Sequence, residues 1–420
     1  MSMGPITIFD KSALQALSLD EAVLFGQFYR TNLTPIFFVE TLADLEKKVR
    51  EGQTPEQVVG TIARKTANLA PDPSAHHERL VLRNLLGYDV LMDGRPHVQG
   101  GRPVQTGDRQ GLVFEQSAEA EALSRWQNHR FLEIERDIAR NWRADLQQQP
   151  IEKADISKFF RDGQRPRTLA EVKTYADWFV RQRREAFLAA LNVLRIPPKH
   201  RGRIFELWLD CGAPSIADFA PYAAYVTSVL TFFRVAVAAD LISSERASNR
   251  ADIAYLFYLP FCMVFTSNDH LHQKTVPLFL RRNQQFVLGT HIKADLKELD
   301  AYFSAQPAEV LERGVMFFKL PFDDRFLTVR LWRRFLPGWR EDRSSDVKMA
   351  PEKEAELMRE FTAAENAPAG PEIGVDDAAF VMIKRVYPET MGKWRILSHD
   401  IAERSRAAER ETGGGAKSEG

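Results

Sequence analysis

The sequence predicts an α/β protein built on a parallel sheet. A mostly helical segment separates the two sheet-forming parts, and an acidic tail ends the chain. Three observations carry this expectation. Short apolar runs end at aspartate in two distant places, "ITIF" before Asp10 and "CMVFTS" before Asn268 and Asp269. Helical spacing of Trp, Phe, Leu and Ile fills much of what lies between. Apolar density then rises again from Arg203 to about residue 290. Aspartates just past strand ends are informative, because parallel α/β sheets gather their ligand sites outside the carboxyl ends of the strands.

Taken in order, "ITIF" (6–9) reads as a strand ending at Asp10, Lys11 and Ser12. In "SLDEAVLFGQFYR" Ser18 and Glu21 stand three apart, a capping box that starts a helix. In "NLTPIFFVETLADLEKKVREG" Thr34 is the N-cap and Pro35 the first helical residue, and the spacing predicts one helix closed by Gly52. The stretch "DGRPHVQGGRPVQTGDRQG" (93–111) reads as a mobile surface loop, since it lacks the Gly-Lys-Ser/Thr ending of a phosphate-cradling loop. Residues 117–146 and 169–194 read as helical. "SNRADIAYLFYLPF" opens a helix with Ser248 and Asn249 at its start and Asp252 in its first turn. "CMVFTS" follows as a buried strand, "QQFVLG" (284–289) as a terminal strand and "ADLKELDAYF" (294–303) as a helix. Beyond Arg340 the chain is acidic and rich in Pro and Ala; its end, "GGGAKSEG", reads as disordered, while "AFVMIKRVYPETMGKWRI" (379–396) is apolar enough to dock. The organisation expected is 1–50 and 205–340 as the two parts of the α/β unit, 51–204 as a helical insertion and 341–420 as a partly disordered tail. No internal repeat is present.

Composition narrows the function classes. Basic and acidic residues number 57 each, so the net charge of +0 excludes a histone-like positive coat while leaving local patches open. Two cysteines, Cys211 and Cys262, make no disulfide framework, which fits a reducing, cytoplasmic setting. The N-terminus lacks the basic and apolar regions of a signal peptide. Residues 219–242 are long and apolar, but Arg234 lies inside and Asp218 and Asp240 flank them, so a buried core helix is expected and no membrane partner.

Four acids follow from these placements. Asp10 and Asp269 sit past strand ends, and Glu40 and Asp252 on helices that adjoin them; Asp44, one turn beyond Glu40, is positioned to join the group. Crowded carboxylates repel one another unless a cation neutralises them. Hard oxygen ligands suit Mg²⁺ or Mn²⁺, which generate a hydroxide nucleophile and stabilise the leaving oxygen of a phosphodiester.

These segments resemble PIN-like nucleases. "ITIFDKSALQAL" is similar to the family's opening strand and Asp. "TPIFFVETLADLE" resembles its Pro-led helix carrying Glu, and "ADIAYLFYLPFCMVFTSNDHLH" its closing Asp-led helix and strand ending in Thr/Ser-x-Asp. The resemblance covers residues 4–50 and about 205–290. It implies a Rossmann-like parallel sheet, catalytic and metal-ligand roles for Asp10, Glu40, Asp252 and Asp269, and supporting hydroxyls at Ser12 and Ser267. It also implies metal-dependent cleavage of RNA, less often DNA, and an inhibitor protein as a class of partner. The residues themselves point to neither an inhibitor nor a homo-oligomer. Lys11 departs from the family pattern, where a small hydroxyl residue is usual, and the gap from Glu40 to Asp252 is longer than the family's. Two alternatives stand beside the nuclease: a non-catalytic nucleic-acid- or protein-binding module, and a small-molecule phosphohydrolase.

Each acid also has a plainer reading. Asp10 caps a helix, Glu40, Asp44 and Asp252 complement helix dipoles, and Asp269 is turn chemistry. Between Lys158 and Arg203 twelve basic residues face four acidic ones, interleaved with Tyr175, Trp178 and Phe179. That pattern fits a groove tracking a nucleic-acid backbone as well as a solvated helix face. Lys11, Arg181, Arg183, Arg184 and His270 are the candidate phosphate contacts. His270 and His272 read as surface histidines or substrate contacts rather than zinc ligands, for no second His/Cys cluster matches them; His76 and His77 carry little weight.

Overall fold

The computed structural model describes residues 4–47, 49, 52–69, 74–98, 100–114, 117–148, 165–182, 184–246, 248–339, 351–371, 373–374, 378–383, 387–399 and 401–403. The chain opens as β1 (Ile6–Phe9), α1 (Lys11–Ala16), α2 (Leu19–Phe28), β2 (Arg30–Asn32) and α3 (Pro35–Leu42). All four residues of β1 are buried, as a central parallel strand covered on both faces requires. The Ser18–Glu21 capping box forms as read from the sequence. Thr34 and Pro35 do start α3, but the helix ends at Leu42 and tightens into a 3₁₀ turn over Ala43–Glu46 instead of running on to Gly52. The cause is tertiary: Arg143 donates to the carbonyl oxygen of Ala43 at 3.0 Å, taking up an acceptor that a continued helix would have used.

Next come α4 (Pro55–Arg64) and α5 (His77–Leu85), then β3 (Arg102–Thr106) and β4 (Arg109–Phe114). The expected surface loop is therefore half a hairpin: β3 and β4 pair antiparallel, and Gly107 between them takes a φ of 58°, open to few residues but glycine. The helices α6 (Ala118–Gln127), α7 (Glu133–Gln148), α8 (Leu169–Phe179), α9 (Arg184–Val193), α10 (Pro198–Asp210), α11 (Ile216–Phe219) and α12 (Pro221–Ala238) follow. α12 is long and apolar enough to cross a membrane by length and composition, yet 72% of it is buried inside the protein, packed on α5 and α8. The expected core helix is what forms.

α13 (Asn249–Tyr255) leads into β5 (Val264–Ser267), α14 (His270–Thr275), β6 (Gln285–Leu288) and α15 (Gly289–Ser304). β5 pairs in parallel with β1, and β6 with β5, so the main sheet runs β2-β1-β5-β6 with every strand parallel. The protein is thus α/β, and its parallel sheet joins strands from both ends of the predicted unit. Gly289 lies so close to Asn268 that a Cβ there would stand 2.8 Å from its side-chain amide, which lets the Asn268 Oδ1 accept from the Thr290 N–H at 2.8 Å. That contact pins the start of α15 to the end of β5.

α16 (Ala308–Glu312), α17 (Leu327–Phe335) and α18 (Pro351–Asn366) complete the helices. The tail is more ordered than its composition predicts. β7 (Phe380–Ile383) adds in parallel to β4, and Val104, Val113 and Ala364 form a small second core. Further on, the Trp394 indole N–H donates to Asp300 Oδ1 at 3.1 Å and its ring meets Phe318, so the docking expected of 379–396 occurs in part. "GGGAKSEG" lies outside the described residues.

The adjacent histidines 76 and 77 diverge. His76 meets Glu119 at 3.4 Å, while the His77 ring lies 4.6 Å from that of Phe257 and its backbone N–H donates to the Tyr258 hydroxyl. Burial, helped by the charge of His76, pushes the His77 pKa down to about 4. The unfolded chain therefore binds a proton that the folded one refuses between about pH 6.5 and 4, so stability falls as pH drops through that window. His77→Phe should remove about 1–2 kcal/mol of this acid sensitivity, a figure reduced because the ring is not fully buried. Parallel urea midpoints at pH 7 and pH 4.5 test it, and an unchanged difference in the variant refutes it.

Candidate functional site

Asp10 follows β1 and Asp269 follows β5, so both stand at the carboxyl edge of the sheet, with α3, α13 and α14 packed beside them. Asp10 is 4% exposed and caps α1, accepting from the Ala13 N–H at 2.9 Å. The Ser12 hydroxyl donates to its carboxylate at 2.8 Å, and the Ser267 hydroxyl to its Oδ2 at 2.7 Å. Ser12 Oγ in turn accepts from the Asn268 N–H at 3.0 Å, and Ser267 Oγ from the Asp269 N–H at 2.9 Å. The two serines read as supporting hydroxyls thus join the end of β1 to the end of β5.

His272 is the residue the sequence reading undervalued. It is not at the surface but fully buried. Its Nδ1 lies 2.8 Å from Ser267 Oγ and 3.5 Å from Asp10 Oδ2, and its Nε2 lies 2.7 Å from the carbonyl oxygen of Asp252. The single Ser267 proton is given to Asp10 and a carbonyl only accepts, so both ring nitrogens must donate and the ring is an imidazolium. Burial alone would lower its pKa; the hydrogen bond and charge of Asp10, with Asp252, carry it up to about 9. The same partner holds Asp10 below its usual range despite burial. The spacing carried a usable signal: Asp269 caps α14, and the third residue of a capped helix faces back toward the cap.

Lys11 likewise turns inward. Its ammonium lies 3.3 Å from Glu40 Oε1 and 3.3 Å from Asp44 Oδ1, and it donates to the Glu40 carbonyl at 3.2 Å. Those charges raise its pKa although burial opposes them. An outward phosphate contact by Lys11, as expected from the sequence, is not what this geometry gives; the ammonium serves the protein's own acids. The Tyr255 hydroxyl donates to Glu40 Oε2 at 2.6 Å, an additional contact unread in the sequence.

Asp252 is different. Burial pushes its pKa up to about 7; His272 opposes this, and the charges of Asp269, Glu40 and Asp10 add to it. Among the described residues none donates a hydrogen bond to its carboxyl. Asp269 accepts the Leu271 N–H at 2.6 Å and the His272 N–H through Oδ1 alone. Asp44 Oδ2 is buried without a partner.

The four acids therefore share one electrostatic neighbourhood, but their oxygens are unequally free. Asp10 is saturated by its donors, and Glu40 is shared between Lys11 and Tyr255. Among the described residues no three His, Cys, Asp or Glu side chains are grouped so as to hold a metal ion. Asp252 and Asp269 are the acids with oxygens to spare.

Of the basic candidates, Arg181, Arg184 and His270 are exposed, and Arg183 lies outside the described residues. Lys173 pairs with Asp177, Arg203 with Glu206, and Tyr175 and Phe179 pack against the core, so part of this region is an ordinary solvated helix face. Trp178 stays half exposed near Arg181. The basic candidates named from the sequence omit Arg250, on the helix that carries Asp252, and Arg234 on α12; burial and the charge of Arg195 lower the pKa of both.

The chain matches no protein-family model, no curated protein and no solved structure.

Proposed function

We propose that the chain is a divalent-metal-dependent phosphodiesterase of the PIN-like kind that cleaves RNA. The observation that carries this reading is Asp252: a half-buried carboxyl to which no described residue donates a hydrogen bond, pressed by three other carboxylates at the carboxyl edge of a parallel sheet. Five acids surround two fixed cations, Lys11 and His272, and this excess of negative charge calls for a cation before any phosphate can approach. Asp252 and Asp269 would hold one Mg²⁺ or Mn²⁺ ion, which at such a site lowers the pKa of bound water and polarises a phosphoryl oxygen. Asp10 acts by position, fixing His272 and through it the Asp252 backbone. Tyr255 and Lys11 aim Glu40. Arg181, Arg184 and Trp178 would meet backbone and base of a single strand. RNA as substrate rests on the family resemblance of the three acidic segments.

Purified protein should cut a mixture of single-stranded and structured RNA in Mg²⁺ or Mn²⁺ and not in EDTA. Asp252→Asn should abolish cutting while leaving the fold intact, since it removes a repelled charge. Metal-independent cutting, or full activity in Asp252→Asn, would overturn the proposal. A folded protein that binds RNA but never cuts it would favour the non-catalytic module, in which Lys11 and His272 alone balance the acids.

A further inference from the structure

We propose that α17 and the turn leading into β6 form a second binding surface, for single-stranded nucleic acid, at the amino edge of the sheet and away from the acids. It goes beyond the reading above, since it needs no metal ion. Four arginines build it. Arg281 donates through Nη1 to the Met92 carbonyl, and its Nη2 lies 3.3 Å from Met92 Sδ. Arg334 donates to Gln285 Oε1 at 3.0 Å and to the Gln284 carbonyl at 3.4 Å. Gln284 Oε1 accepts from the Arg281 backbone N–H at 3.0 Å, so both arginines are fixed around the start of β6. Arg282 follows in the chain, exposed and without a hydrogen bond or ion pair among the described residues. Arg330, one turn before Arg334, donates to the carbonyls of Asp324 and Arg325 at 2.5 and 2.9 Å.

The contacts of Arg281, Arg330 and Arg334 share one property. Every acceptor is a neutral oxygen or sulfur, which orients the guanidinium and leaves its charge in full. Among the described residues no carboxylate pairs with any of the four arginines. The acids nearby are taken: Asp93 meets Arg95 at 3.7 Å, Asp323 meets Arg325 at 3.0 Å and Asp324 meets Arg333 at 2.6 Å. The Arg330 charge reaches the buried Asp295, whose oxygens accept from Leu327 and Thr328. Guanidinium groups held in place and not neutralised suit an anion with several charges, and their planar forks match phosphate oxygens. The aromatic rings beside them select a single strand. Phe322, 46% exposed, stacks on Trp339 with ring centroids 5.3 Å apart and planes 22° from parallel. Asp324, which holds Arg330 and Arg333, lies two residues from Phe322, and Trp339 meets Trp332 of α17 at 5.4 Å. The stack therefore adjoins the arginines. Single strands bind in this way, with phosphates on the cations and a base on the open ring, whereas a duplex keeps its bases stacked inside.

The test is the binding of fluorescein-labelled oligouridine to the full chain, read by fluorescence anisotropy in EDTA over a series of salt concentrations. The wild type should bind, with log Kd rising linearly with log salt. The double variant Arg281→Gln/Arg334→Gln should bind about tenfold more weakly and lose about 1.4 from the salt slope, since each phosphate contact contributes about 0.7. Arg282→Glu breaks no contact inside the protein and should also weaken binding, which guards against a folding defect in the double variant. Phe322→Ala should lower affinity about tenfold with the slope unchanged. Asp252→Asn should bind as the wild type does, which keeps this result separate from the metal reading. Wild-type binding by the double variant and by Arg282→Glu would overturn the inference and leave RNA to Arg181, Arg184 and Trp178. No binding of oligouridine by the wild type would overturn it together with RNA as the substrate. Binding of polyglutamate instead, lost in the same variants, would assign the surface to an acidic protein and overturn the nucleic-acid partner.

Discussion

Asp10→Ala is expected to lower the stability of the chain by about 3–5 kcal/mol, the range for removing one partner of a buried ion pair. The size follows from what the carboxylate satisfies. It takes protons from Ser12, Ser267 and the Ala13 N–H, and it is the counter-charge of a fully buried imidazolium. Alanine strands His272, which then either stays charged in an apolar setting or gives up its Nδ1 proton and keeps only the Nε2–H that it donates to the Asp252 carbonyl. Asp10→Asn is expected to do nearly as much harm, because the amide presents donors where Ser12, Ser267 and His272 also donate. The direction is opposite to that at Asp252, where Asn removes a repelled charge and should leave stability unchanged or higher. Guanidinium unfolding curves of Asp10→Asn and Asp252→Asn in EDTA measure the contrast. Equal midpoints for the two variants would show that Asp10 and His272 are not paired.

The contrast also shows what could be read from the sequence. Strand-ending aspartates marked β1 and β5, because each follows a short, mostly apolar run, and the parallel pairing of these two strands brings Asp10 and Asp269 to one edge. Capping chemistry at Ser18 and Pro35 located helix starts, since those signals are local. The helix end after Leu42 was not legible: Arg143, a hundred residues away, decides it. The hairpin at 102–114 was hidden by its glycines. Gly101 and Gly111 let the rings of Phe114 and Phe380 lie close, and that packing needs a strand from the far tail. Within the site, acid types and order were legible, whereas the state of each carboxylate was not. Whether an Asp is saturated, shared or free depends on donors such as His272, Tyr255 and Lys11, and these reach it only once the sheet has formed.

Asp295→Ala carries the second large expected effect, about 3–4 kcal/mol, from two backbone N–H groups and a hydroxyl left without an acceptor. α17 has no side-chain cap of its own; its N-cap residue is Phe326. The cap comes instead from α15, where the buried Asp295 carboxylate accepts from the Leu327 N–H and from the N–H and hydroxyl of Thr328. With its proton committed to Asp295, Thr328 Oγ1 accepts from the Tyr29 hydroxyl at 2.8 Å, which ties the junction of α2 and β2 into the same chain of bonds. Burial and the Asp295 charge hold the Tyr29 hydroxyl well above its usual pKa, so it stays a donor at any ordinary pH. Burial pushes the Asp295 carboxyl up as well, so Asp295→Asn, which keeps one acceptor oxygen and no charge, should lose only about half as much as alanine. Hydrogen exchange locates the effect: protection in Asp295→Ala should fall first over residues 327–335 and only later in β1 and β5. Unchanged exchange over α17 would mean that the helix is held by Trp332, whose indole N–H donates to the Phe28 carbonyl at 2.7 Å, and that the borrowed cap is dispensable.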